Sequence, residues 1–247
     1  MNDLIIFAIV NVFIMTLSGI AGGGAGLFTA PFLIFLGINP LTAIATSKVT
    51  GLGAALGAGA KYRREKILDL KTQLIFMAMG GVGALIGSSL LVQFSSNEEL
   101  IQKLLGYVIL IVGLPLLLTK NLGLETRKTS RSSKSIGALI LFAVSIVGSA
   151  ISGITTAYLI VFMVFFGMTA INAAVTKRSI QLVAQTVSLL IFASANFIDY
   201  KFAAVALVTS IIGSYIGAYL AIKNGNKFVI NVFAVLSLIL ALHLIFE

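Results

Sequence analysis

The sequence predicts an all-α, polytopic helical membrane protein built from two homologous halves. Three observations predict it. Hydrophobic residues fill 59% of the 247 positions and charged residues only 10%, against roughly 25% charged in soluble domains, so the outer surface has to face lipid. Long uncharged stretches recur at 4–20, 74–92, 104–118, 136–151, 202–222 and 228–246, long enough to cross or nearly cross, since a helical span takes about 20 residues. Third, one segment repeats later in the chain. The short alternating segments of a membrane barrel do not recur, which leaves helices that satisfy their own backbone groups.

The repeat runs at a constant offset of 130 residues: Gly37 pairs with Gly167, Ala43 with Ala173, Thr46 with Thr176 and Asp69 with Asp199. Lys48 falls opposite Arg178, and the same register pairs Gly83 with Gly213 and Gly87 with Gly217. Two membrane repeats follow, over 1–119 and 135–247, joined by a basic cytoplasmic linker over 120–134. The basic loop 61–71 has a nearly neutral counterpart at 191–201, and acidic Glu98 and Glu99 stand opposite a region bearing Lys223 and Lys227. This swap of positive charge between equivalent loops favours an inverted repeat.

The elements follow in order. A helix over 4–20 ends at Gly22-Gly23-Gly24; a short piece over 25–36 contains Pro31; a helix over 40–60 opens with Pro40 in its first turn, where a missing N–H costs nothing. Helices over 71–94 and 99–118 complete the first half. The second has 134–151, a short piece over 155–166 behind Ser152-Gly153, then 170–195, 201–222 and 227–246. The short pieces read as broken helices, which give about ten crossings if they span and about eight, with parallel halves, if they re-enter. The N-terminus lacks the basic flank of a signal peptide and reads as the first helix.

Lys48 and Arg178 are the outliers. Each sits eight residues into its helix, about 12 Å deep by helical rise, where insertion of a charge costs about 2.5–3.5 kcal/mol. No acid lies inside the predicted helices, so the expected partner is a bound anion. Adjacent Lys177 is expected to snorkel to the headgroups. Gly22, Gly23 and Gly24 let the backbone approach an anion beside a helix start, and Ser152, Thr155 and Thr156 offer hydroxyls at the matching break. Thr46, Ser47, Thr176 and Gln181 add polar lining, with Thr50, Asn172 and Gln185 nearby. Asp69 and Asp199 read as caps, and His243 as interfacial.

Several classes drop out. The formal charge of +9 gathers in loops between apolar helices, which excludes nucleic acid as a partner and suits anionic lipid headgroups. With no Cys and one His, no thiol nucleophile, thiolate metal site or multi-histidine site can form, and no acid, base and nucleophile converge. No enzyme activity, metal or cofactor is expected.

The stretch GIAGGGAGLFTAPFLIFLGINPLTAIATSKVTG, followed by a basic turn and a GxGxxxG helix, resembles the sulfite exporter TauE/SafE family over nearly the whole chain. The resemblance implies a multi-pass carrier of two related halves in the cell membrane, moving sulfur-containing or similar small anions, often outward. The expectation is therefore a secondary transporter exporting a small inorganic or organic anion, such as sulfite or an organosulfonate. The alternative is a passive anion channel, and the sequence leaves a homodimer open.

Overall fold

In a computed structural model, the residues described are 2–23, 25–62, 70–94, 123–150 and 157–246. The helix expected over 99–118 lies outside them, as do Asp69 and the His243 side chain. All regular structure among the described residues is helical: α1 (Asn2–Ala21), α2 (Ala25–Phe35), α3 (Pro40–Tyr62), α4 (Leu70–Gln93), α5 (Arg131–Ala150), α6 (Ala157–Phe165), α7 (Ala170–Ser194) and α8 (Tyr200–Phe246). The two helices expected within α8 meet at Gly225, whose φ of 78° interrupts the helical backbone. Such a φ favours glycine.

Equivalent elements keep the sequence offset. Pro40 and Ala170 open α3 and α7, Leu70 and Tyr200 open α4 and α8, and each pair is 130 residues apart. The caps match as well. Leu41 N–H donates to Asn39 Oδ1 at 3.0 Å and Asn172 N–H to Thr169 Oγ1 at 3.3 Å, each serving an amide that a helix start leaves open. Asp199 caps α8 by accepting from the N–H groups of Lys201 and Phe202. Helix α5 opens at Arg131, within the stretch expected as linker, because Ser130 Oγ accepts from Ser133 N–H at 3.1 Å. The preceding residues pack on the α6–α7 corner: Arg127 N–H donates to Gly167 O, and Ala170 N–H to Gly123 O.

Helices α2 and α6 hold 11 and 9 residues, so they rise about 16 and 14 Å, roughly half of a hydrocarbon core. Among the described residues, four helices are long and apolar enough to cross a membrane: Asn2–Ala21, Lys71–Gln93, Arg131–Ala150 and Tyr200–Val232. They turn Ile9, Phe13, Leu139 and Val208 outward. The more polar α3 and α7 lie among them, with Thr46, Ser47, Thr50, Thr176 and Gln181 all buried.

The halves interleave. Helix α1 runs beside α8 in the same direction: Asn11 meets Thr209, Gly213 sits against Val12 and Met15, and Gly217 against Thr16 and Gly19. Helices α4 and α5 repeat this pattern, Gly83 against Ser145 and Gly87 against Ile146 and Ala150. A Cβ at Gly87 or Gly217 would strike a backbone carbonyl of the neighbour, so the small residues set how closely these helices approach. Gly53 and Gly57 seat α3 on Ser210 and Ser214 of α8, whereas Gly59 faces open space and takes no part. Helices α3 and α7 run antiparallel, for Thr46 Oγ1 accepts from Asp199 N–H at 3.0 Å while Tyr62 shares a core with Ala170 and Ala173.

Candidate anion site between the two repeats

Where α3 and α7 cross, Gln181 Nε2 donates to Gly51 O at 3.0 Å. These two positions are equivalent in the repeat, 130 apart. Lys48 and Arg178 each lie three residues before the crossing, about 4.5 Å along the helix. The sequence-predicted pair is thus brought to the middle of the bundle, Lys48 with 2% of its surface exposed and Arg178 with 3%.

Three buried cations stand there, and their partners differ. Lys48 Nζ donates to Gly148 O of α5 at 3.0 Å. Lys177 Nζ donates to Gly22 O, just past the end of α1, also at 3.0 Å. Both carbonyls belong to the last turn of a helix or the residue after it, where acceptors lack intrahelical partners and the dipole favours a cation. Arg178 Nη1 donates to Gln181 Oε1 at 3.0 Å, but its Nε and Nη2 are buried with no partner among the described residues. The described acids, Asp3, Glu125 and Asp199, sit at helix ends or in a loop, and none of them pairs with these cations.

Lys177 corrects the sequence reading. It does not snorkel: 0% of it is exposed, and its ammonium is held by the α1 end. The physical reason is that α1 stops inside the bundle, so the nearest water-substitute for Lys177 is a helix carbonyl rather than a headgroup. Gly22 has φ of +73°, and a Cβ there would press on Ala174 and Leu159; a Cβ at Gly23 would fall on the Lys177 ammonium itself. The two glycines therefore serve the lysine as well as the turn.

The other expected lining residues separate. Gln181 is at the centre, and Gln185 lies against Gly51 with its Oε1 buried and unpartnered among the described residues. Thr46 faces the α8 cap, two residues from Lys48 and so turned about 200° away on the helix. Ser47 bonds back to Ile44 O, Thr50 to Ser47 O, and Thr176 to Asn172 O. Gly24, Ser152, Thr155 and Thr156 lie outside the described residues. Sequence reasoning missed a buried node in which Asn11 Nδ2 donates to Thr209 Oγ1 and Thr29 Oγ1 donates to Asn11 Oδ1. An amide within an apolar span was the available signal.

Helices apolar enough to span, two short ones that reach halfway and buried cations at the ends of α1 and α5 define a multi-pass membrane protein of the transporter class. The sulfite exporter TauE/SafE family matches residues 7–244, and the chain belongs to that family. It is 26% identical over 235 residues to the Probable membrane transporter protein YfcA of Escherichia coli strain K12, covering 94% of this chain and 85% of that one. A Haemophilus influenzae relative named Probable membrane transporter protein is 26% identical over 94% of this chain and 90% of its own. The Probable membrane transporter protein YjnA of Bacillus subtilis is 29% identical over 86% and 88%. No solved structure gave a significant match.

Proposed function

We propose that this protein is a secondary transporter that exports a small oxyanion, sulfite or an organosulfonate, by alternating access. The observation that carries the reading is Arg178, a guanidinium with 3% exposure whose Nε and Nη2 have no partner among the described residues. A buried charge without a counter-ion is strongly destabilising, and a planar fork with free donors suits an oxyanion bidentately. Charge balance supports it too. Three buried cations face two helix C-termini worth about half a negative charge each, which leaves roughly two positive charges for a passenger to match. Gln181 and Gln185 would complete the lining with amide groups.

In this reading the halves 1–119 and 135–247 are inverted across the bilayer, the linker 120–134 is cytoplasmic, and the Gly51–Gln181 crossing lies at the midplane. The antiparallel run of α3 and α7 supports that arrangement. The near-complete burial of Arg178 favours alternating access over an open pore, because a pore would leave its selectivity charge wet. Sulfite as cargo rests on the family's description.

The test is flux of labelled sulfite in proteoliposomes holding purified protein, with sulfate, thiosulfate and sulfonates as competitors. Saturable flux that accelerates with anion loaded on the opposite side is expected, with loss of that flux in Arg178→Gln. Normal saturable flux in folded Arg178→Gln would defeat the site, and flux that never saturates would replace the carrier by a channel.

A further inference from the structure

We infer that Lys177 and Lys48 fill, from within the chain, two monovalent-cation sites at the broken ends of α1 and α5, so that transport by this protein needs neither sodium nor potassium. The inference rests on the transporter reading. Where helices stop inside a transporter, their C-terminal carbonyls are the groups that bind a coupling cation. Here both such ends are occupied. The ammonium of Lys177 lies 3.0 Å from Gly22 O and that of Lys48 lies 3.0 Å from Gly148 O, and each comes from the opposite repeat.

The α1 end is shaped for this occupant. Gly22 turns its carbonyl with φ of +73°, and any side chain at position 23 would displace the ammonium. An ammonium has three donors and no acceptor, so it can stand in for a small cation at a helix-end carbonyl. The repeat gives independent support. Lys48 is equivalent to Arg178, not to Lys177, and Gly22 is equivalent to position 152, not to Gly148. The same contact is therefore built twice from non-equivalent residues, which a mere remnant of duplication would not produce. Lys48 and Lys177 are on this account positioning residues for the helix ends around Arg178.

Thermal unfolding in detergent tests it, using chloride salts of sodium, potassium, lithium and N-methylglucamine at equal ionic strength. The native protein should unfold at one temperature in all four. Lys177→Met, close in length and uncharged, should unfold lower in N-methylglucamine and regain part of the loss in at least one alkali salt, and Lys48→Met should do the same. A native protein stabilised by sodium over N-methylglucamine, or a folded Lys177→Met without any alkali response, would overturn the inference. Should the variants fail to fold, native sulfite flux decides: equal flux in the four salts is expected, and flux that requires sodium or potassium overturns the inference while leaving the transporter intact. Absence of flux for every anion in every salt would instead sink the transporter reading, and the salt response of native unfolding would still judge the cation sites.

Discussion

Replacing Arg178 with Met should make the empty protein no less stable while abolishing its response to anions. The variant removes two buried nitrogens, Nε and Nη2, that have no partner among the described residues, and each unsatisfied buried group costs about 1–3 kcal/mol. Against this, it removes the bond from Nη1 to Gln181 Oε1 and leaves that oxygen unpaired, a loss of about 2–4 kcal/mol for a charged hydrogen bond and its orphan. The two effects are of equal size, so the unfolding temperature in detergent without ligand should move little or rise. With anion present the proteins should part. A ligand at a hundred times its Kd stabilises the folded state by about 2.7 kcal/mol, a shift of about 5–11 °C for a chain of this length. The native protein should show that shift in a sulfite titration, and Arg178→Met none. Equal stabilisation of both by sulfite would place the anion elsewhere and refute the assignment.

The pseudo-symmetry predicts equal damage at equivalent contacts: Gly87→Ala and Gly217→Ala each press a methyl on a carbonyl of the neighbouring helix and should each cost about 1–3 kcal/mol, read as matched drops in unfolding temperature. At the buried node, Asn11→Leu should destabilise by about 1–3 kcal/mol because Thr29 loses its acceptor. The equivalent positions in the other half are Leu141, Leu159 and Met79, all in one apolar cluster, so the combined Asn11→Leu, Thr29→Leu, Thr209→Met protein should recover most of that loss. The chain has no Cys, so single cysteines placed after Arg64 and after Asn196 report topology directly; labelling from opposite sides is expected, and labelling from one side would rule out inversion.

What was legible in the sequence depended on the kind of signal. The repeat was, because equivalent residues recur at a constant offset, and the paired glycines of α4 and α8 then fall in place. So was the place of Lys48 and Arg178 inside their helices, where both are buried. The division of labour among the cations was not. Residues 177 and 178 differ by about 100° around α7, and only packing decides which side chain meets the end of α1. Their partners are backbone carbonyls, which carry no residue-type signature. Thr46 was misjudged for a similar reason: it shares a helix with Lys48 but turns to the α8 cap. The Asn11–Thr209 bond joins residues 198 apart in sequence, beyond any local pattern.

The displacement of one residue between the halves carries the asymmetry that a duplicated protein needs to recognise a single small ligand. In the first half, α3 bears one cation, Lys48, and its charge is committed to the α5 end. In the second, α7 bears two in succession. Lys177 takes the corresponding contact at the α1 end, which frees the residue equivalent to Lys48. That residue is an arginine, whose guanidinium keeps its charge at any working pH and presents a planar fork. Had the tie stayed in register, Arg178 would have been spent on a helix carbonyl and the centre would hold two satisfied cations. The shift leaves one pair of free donors about 4.5 Å along α7 from the Gly51–Gln181 crossing, close to the axis on which the two halves would rock.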